Sequence, residues 1–182
     1  DGKNAARTAP AALAKAGIRA AGCDISRQML RRAARHPGRG VGWVQLAPDW
    51  SSLPFASAAF DAVVAASVLE YVAEPAAVLR ECARVVRPGG VVLYTVPDLR
   101  HPVRWAEWLG QVLLAPAAIG GSSRWSRYRA YLRASRQRHR VRWWLAASAS
   151  AGLSPAPGRD RAARSALMQL VFRRADQAGA RR

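Results

Sequence analysis

Short apolar runs and helix-like periodicities alternate along the first hundred residues. Residues 18–23, 41–46, 60–66 and 91–96 form apolar runs of strand length. Residues 75–86 instead carry their apolar side chains at helical spacing. Strands that alternate with helices predict a parallel sheet covered by helices. The near-continuous run at 60–66 predicts a strand that is buried on both faces.

Turn and capping residues separate these predicted elements. A helix over 9–16 is expected to end at Gly17, and Ser26 is suited to cap a helix over 27–35. A break follows at residues 36–38, and residues 88–90, Pro-Gly-Gly, predict a turn.

The pattern changes after Pro97. Residues 102–115 and 124–135 are rich in Trp and Arg and predict helices joined by a flexible segment. Residues 141–151 predict a further helix, and 166–173 predict a last strand.

Length and composition favour one globular domain. A chain of 182 residues, 51% of them hydrophobic, is long enough to bury a core. No apolar run reaches bilayer-spanning length, and no signal peptide is recognisable, so a cytoplasmic protein is expected. Cys23 and Cys82 have no metal-binding spacing, and no metal site is predicted.

The charge is strongly positive. The formal net charge is +18, almost entirely from arginine, and the arginines thicken between Arg124 and Arg142. Such a charge suits anionic partners, but arginine scattered along the whole chain is also a feature of biased composition. Nucleic acid is therefore disfavoured as a partner, whereas an anionic lipid surface stays open.

Residues 22–26, Gly-Cys-Asp-Ile-Ser, followed by residues 29–35, resemble the class I S-adenosylmethionine-dependent methyltransferases, in the small-molecule, type 11-like branch. In that family the acid that ends the second strand holds the ribose hydroxyls of the cofactor. The resemblance assigns this role to Asp24, with Ile25 beside it. The alternative is that Asp24 serves only the start of the next helix.

Residues 48–55 resemble the family's segment after the third strand. Asp49 and Trp50 would then hold the adenine, although Leu46 and Ala47 form a two-residue insertion relative to the family. The alternative is an ordinary loop acid beside an anchoring Trp.

Residues 60–72 resemble the fourth strand and its following loop, and 79–96 resemble the next helix, turn and strand. The resemblance places Ser67 in the cofactor site. Tyr71 is a weak catalytic candidate, since many relatives carry His there and Tyr, with a pKa of about 10, removes protons less readily near neutral pH.

The family's glycine loop is altered in this chain. Its first acid corresponds to Asp1, but Lys3, Ala5 and Arg7 stand at the three glycine positions. A Cβ at each position would crowd a cofactor. The family's first strand would precede Asp1, and an upstream continuation is expected.

Together these features predict an α/β, Rossmann-like, doubly wound and mostly parallel sheet without its first strand. One domain over 1–182 is expected, with a cofactor-binding half at 1–97, a helical lid at 98–138 and a C-terminal part at 139–182. The implied function is S-adenosylmethionine-dependent methyl transfer to a small-molecule or lipid-like acceptor. The alternative is a catalytically impaired relative with a binding or structural role. The oligomeric state stays open.

Overall fold

The computed structural model describes residues 17–35, 41–103, 105, 109, 137–156 and 166–176. The chain divides into two compact units, residues 1–53 and 54–182. The predicted helix at 9–16, the altered loop at 1–7, the break at 36–38 and most of the predicted lid lie outside the described residues.

In the described residues of the first unit there are two parallel strands and one helix, as the hydrophobic pattern predicts. They are β1 (Ala20–Asp24), α1 (Arg27–Ala34) and β2 (Val41–Gln45). The strands pair in register from Ala20 opposite Val41 to Asp24 opposite Gln45. The predicted cap is confirmed, because Ser26 Oγ accepts a hydrogen bond from Met29 N at 3.3 Å. The helix packs on both strands.

A close contact fixes the middle of this strand pair. Gly22 lies opposite Trp43, and a Cβ built on Gly22 would clash with Cζ3 and Cε3 of the Trp43 ring. The indole therefore covers the glycine backbone and occupies the space of a side chain there.

The part of the second unit that the structure describes contains a four-stranded sheet. Its elements are β3 (Phe60–Ala65), α2 (Pro75–Val85), β4 (Val86–Pro97), α3 (Val141–Ser150), β5 (Leu153–Pro155) and β6 (Leu167–Arg174). The strand order is β3-β4-β6-β5. The β3–β4 pair is parallel, and β6 runs antiparallel to both β4 and β5.

The predicted turn at 88–90 lies inside β4 as an irregularity. Val86 pairs with Phe60, but Val91 pairs with Ala62, so the residues between them bulge out of register. Gly89 has a φ of +70°, and a Cβ on Gly90 would lie 2.7 Å from the Asp61 carbonyl oxygen. Only glycine satisfies both requirements without strain.

The prediction that residues 60–66 are buried on both faces is wrong for the described part of the second unit. Asp61 and Ala62 are exposed, and Val64 is 56% exposed. The reason is positional, because β3 is the edge strand of this sheet and the described residues pair with it only through β4. The central strand β4 is instead buried at Val92, Tyr94 and Val96.

The core of the second unit lies between β4, β6 and the two helices. The Tyr94 ring stacks on Phe172 with centroids 5.4 Å apart, and its hydroxyl lies 2.7 Å from Ser148 Oγ on α3. Burial raises the pKa of Tyr94 to about 12, although the Ser148 hydrogen bond opposes part of that rise. The buried side chains of α2 recur at helical spacing, as predicted: Val78, Leu79, Cys82 and Val85.

Candidate functional site

In open α/β sheets, ligands bind beyond the carboxyl ends of the parallel strands. In the first unit these ends are Asp24 and Gln45, and in the second unit the corresponding end of β3 is Ala65. The predicted site residues that the structure describes lie at these ends or in the segments that follow them.

Asp24 is the last residue of β1, as the resemblance requires. Its Oδ1 accepts a hydrogen bond from Ser26 N at 2.7 Å, which fixes the orientation of the carboxylate. The other carboxylate oxygen hydrogen bonds no described residue. Asp24 therefore serves the turn into α1 with one oxygen and retains a second acceptor, so the two interpretations of this residue are compatible.

The segment after β2 carries the other residues predicted for the first unit. Leu46 N donates to the Asp24 carbonyl at 3.0 Å, and Trp50 N donates to the Ala47 carbonyl at 3.2 Å. Asp49 is exposed in this turn and Trp50 is half-buried. The two extra residues, Leu46 and Ala47, are thus used to extend the pairing with β1 and to form the turn.

Ile25 follows Asp24 and is 49% exposed. An exposed aliphatic side chain beside an oriented carboxylate is suited to contact the flat face of a ligand. The geometry of Ile25 does not test its role in cofactor binding, which stays a prediction.

Ser67 has a strained backbone at the end of β3. Its φ is +53°, in the left-handed region that residues with a Cβ seldom adopt. Ser67 N donates to Thr95 Oγ1 on the neighbouring strand β4 at 2.8 Å. Such strain persists where surrounding contacts impose it, and it is concentrated at functional sites.

Sequence reasoning missed Thr95. It is a buried polar residue in the otherwise apolar run of β4, 8% exposed, and its hydroxyl anchors the Ser67 backbone. The available signal was a threonine within the apolar run 91–96, two positions before the end of β4 at Pro97.

The loop after Ser67 turns back on the sheet through buried residues. Leu69 and Glu70 are almost fully buried, whereas Tyr71 is 39% exposed. Tyr71 N donates to the Val68 carbonyl at 3.0 Å, closing the turn. The exposed Tyr71 lies on the loop for which the resemblance predicts contact with the reactants. Its catalytic role stays a prediction.

A second feature that sequence reasoning missed is a polar clamp on this loop. Gln137 N donates to the Glu70 carbonyl at 3.2 Å, and its side-chain Nε2 donates to the carbonyls of Val72 and Ala73 at 3.1 and 2.9 Å. Its Oε1 lies 2.9 Å from His139 Nε2. The two residues lie 64 positions or more beyond the loop, so no local pattern revealed the contact.

The predicted site residues thus fall into separate groups. Asp24, Ile25, Asp49 and Trp50 belong to the first unit, and Ser67 and Tyr71 to the second. Asp1 lies outside the described residues. Among those residues, no group of three or more His, Cys, Asp or Glu side chains is arranged to hold a metal ion, and no helix is long and apolar enough to cross a membrane.

Comparisons with known proteins agree with this geometry. Residues 5–94 match the family described as a methyltransferase domain. The chain is 45% identical over 93 residues to a demethylmenaquinone methyltransferase of Corynebacterium kroppenstedtii, covering 51% of this chain and 38% of that protein. It is 36% identical over 86 residues to a ubiquinone biosynthesis O-methyltransferase of Ralstonia nicotianae, covering 46% of this chain and 36% of that protein.

A solved structure resembles the fold over most of the chain. The Haloferax volcanii protein in complex with the Trm112 methyltransferase activator superposes with a TM-score of 0.68 at 21% identity, covering 95% of this chain and 80% of that one. The α/β, Rossmann-like class predicted from the sequence is confirmed by this likeness. The chain spans little more than a third of the length of the two curated relatives.

Proposed function

Because the chain belongs to the class I S-adenosylmethionine-dependent methyltransferase superfamily, we propose that it transfers a methyl group to a small aromatic acceptor. The family's cofactor is S-adenosylmethionine. When bound, it supplies an electrophilic methyl group on a sulfonium. One curated relative is named a demethylmenaquinone methyltransferase and the other a ubiquinone biosynthesis O-methyltransferase, which supports a quinone-type acceptor.

The observation that carries the proposal is the oriented carboxylate of Asp24. A ribose presents two hydroxyl donors, and a carboxylate is the side chain that accepts both. The Ser26 amide holds Oδ1 in place and leaves the second oxygen for a ligand. In this proposal Asp49 and Trp50 bind the adenine, since an indole offers a flat apolar face for it.

In this proposal, methyl transfer takes place at the loop after β3. Methyl transfer between two aligned reactants depends chiefly on their positioning, so a strong base on the protein is not required. Ser67, held by Thr95, shapes the loop on which Tyr71 and its neighbours would contact the reactants. The cofactor-binding half proposed for residues 1–97 includes the whole segment matched by the family, 5–94.

The test is calorimetric titration of the whole chain with S-adenosylhomocysteine, comparing Asp24→Asn with the parent. An asparagine keeps the oxygen that accepts from Ser26 N and replaces the second acceptor by an NH₂ donor. We expect at least about tenfold weaker binding from the lost charge-assisted hydrogen bonds.

Asp61→Asn is the matched control for that titration. Asp61 is an exposed carboxylate that pairs with Arg87 at 2.6 Å and has no place in the proposed site. Its substitution should leave S-adenosylhomocysteine affinity unchanged. Absence of binding by the folded parent protein up to millimolar ligand would refute the proposed function.

The altered glycine loop favours a second candidate, a relative that has lost transfer activity and keeps a binding role. Lys3, Ala5 and Arg7 each add a Cβ where the family has glycine. Restoring glycine at the three positions should tighten S-adenosylhomocysteine binding if steric crowding is the cause. Unchanged affinity would remove the steric basis of this candidate.

A further inference from the structure

Gln137 occupies an unusual position between two parts of the second unit. Its side-chain amide donates both of its hydrogens to consecutive backbone carbonyls, those of Val72 and Ala73. Its backbone amide donates to the carbonyl of Glu70. All three acceptors belong to the loop that begins at Ser67, so Gln137 holds the loop on which the proposed chemistry depends.

These two carbonyls also determine which way the Gln137 amide faces. Turning the amide over would place Oε1 against two carbonyl oxygens, which are acceptors and repel it. The Nε2 group therefore faces the loop, and Oε1 faces His139. An amide oxygen only accepts, so His139 Nε2 must carry the proton of this 2.9 Å hydrogen bond.

The tautomer of neutral His139 follows from that requirement. With the proton on Nε2, Nδ1 is the nitrogen with the lone pair. Nδ1 makes no hydrogen bond to a described residue. The ring is half-buried and stacks on Trp143, with centroids 3.8 Å apart and planes inclined by 15°, so its orientation is fixed as well.

We propose that Gln137 is a positioning residue that sets the tautomer of His139, and that His139 Nδ1 accepts a hydrogen bond from a hydroxyl group of the methyl acceptor. This inference rests on the proposed function and narrows the acceptor to an aromatic compound with a free hydroxyl. A ring held by stacking, with one nitrogen presented as an acceptor, matches that chemistry. Through Gln137, which bonds both His139 and the carbonyls of Val72 and Ala73, this ring is tied to the loop that begins at Ser67.

The competing explanation is that Gln137 and His139 only fasten the start of α3 to the loop. A purely structural role requires the hydrogen bonds of Gln137 but does not require His139 Nδ1 to accept a hydrogen bond from a ligand. The two explanations differ in whether a hydroxylated ligand perturbs the His139 ring.

The first test is ¹⁵N NMR of the histidine rings in the whole chain, recorded in alkaline buffer. We expect His139 to be the Nε2–H tautomer in the parent and a mixture of tautomers in Gln137→Leu. Gln169→Leu is the matched control, because Gln169 is an exposed residue of β6. A mixed or Nδ1–H tautomer in the parent would overturn the positioning role.

The second test titrates catechol into the chain with S-adenosylhomocysteine present. We expect the His139 Nδ1 resonance to shift, and His139→Phe, which keeps a stacking ring but no acceptor nitrogen, to weaken catechol binding about fivefold, the effect of losing one hydrogen bond. His101→Phe is the control, since His101 Nδ1 already accepts from Val103 N at 3.3 Å.

A catechol titration that leaves the His139 resonance unmoved overturns the proposed acceptor role, whether or not the substituted chain folds. Affinity for S-adenosylhomocysteine is measured separately by calorimetry. Failure of that binding counts against the proposed function, whereas the tautomer of His139 is determined without any ligand, so the two failures are distinguishable.

Discussion

At the residue scale, two backbone positions show how the fold constrains its edge. Ser67 adopts a positive φ that its side chain disfavours, and Thr95 stabilises that conformation by accepting the Ser67 N–H. A left-handed conformation costs a residue with a Cβ about 1–2 kcal/mol. Ser67 is thus held by its neighbour on β4 against its own preference.

Replacing Thr95 by Val should destabilise the protein by about 1–3 kcal/mol, because the shape is kept but the part-buried Ser67 N–H loses its acceptor. Urea unfolding of the whole chain measures the change. Thr95→Ser retains the hydroxyl and should recover most of the loss. Equal stability of the Val variant and the parent would show that the hydrogen bond does not hold this conformation.

At the element scale, a specific side-chain contact determines how each of two neighbouring pairs of elements packs. β1 and β2 fit through the indole of Trp43 over Gly22, and α3 and β4 fit through the Ser148 and Tyr94 hydroxyls. In both cases a small residue on one element accommodates a large aromatic one on the other. These contacts fix the register and depth of packing that hydrophobic periodicity leaves open.

Gly22→Ala should destabilise the chain by about 1–3 kcal/mol, since its Cβ would clash with the Trp43 ring and the ring has to move. Gly42→Ala, where a Cβ meets nothing within 4 Å, is the control and should change stability by less than about 1 kcal/mol. Unfolding of Gly22→Ala combined with Trp43→Ala should show the Gly22 penalty largely removed. Additive effects in that double variant would contradict the steric explanation.

Alkaline pH should weaken the packing of α3 on β4. The pKa of Tyr94 is about 12 in the folded protein, above the ordinary value of 10, so the unfolded chain releases this proton first. The stabilisation is complete below about pH 10 and falls by roughly 2–3 kcal/mol as pH rises to about 12.

Urea midpoints measured across that range would check this dependence on pH. Tyr94→Phe should flatten the decline, whereas Tyr71→Phe, at an exposed tyrosine, should retain it. A decline of the same size in Tyr94→Phe would assign it to another group.

At the scale of the whole molecule, buried apolar side chains are distributed unevenly. In the described part of the chain, Leu46 is the one buried hydrophobic residue of the first unit, and all the others belong to the second. Local stability follows buried apolar contact, so the two units should open with different free energies.

Native-state hydrogen exchange should reveal this difference. Amides of β4 and β6, paired over seven positions, should exchange last, and those of β1 and β2 should exchange earlier. S-adenosylhomocysteine should slow exchange around Asp24 if the proposed site is correct. Equal protection of both strand pairs would show that the first unit is stabilised by contacts beyond its described core.

The sequence by itself determined the order and type of the main elements, although the turn it predicted at 88–90 lies inside β4. Alternating apolar runs located β1, β2, β3 and β4, and Ser26 marked the start of α1, because periodicity and capping act over a few neighbouring residues. The family resemblance placed Asp24 at the end of a strand, where the structure has it.

Tertiary structure decided what depends on residues far apart in the chain. The exposure of Val64 follows from the edge position of β3, the strain at Ser67 from Thr95, and the clamp on the loop from Gln137, 64 or more residues away. Each arises when strands pair or loops meet, and the free energy of such contacts depends on distances that no local pattern specifies. The methyltransferase fold could therefore be predicted from the sequence. The tautomer inferred for His139 depends instead on the hydrogen bonds between Gln137 and the loop after β3, which only the tertiary structure shows.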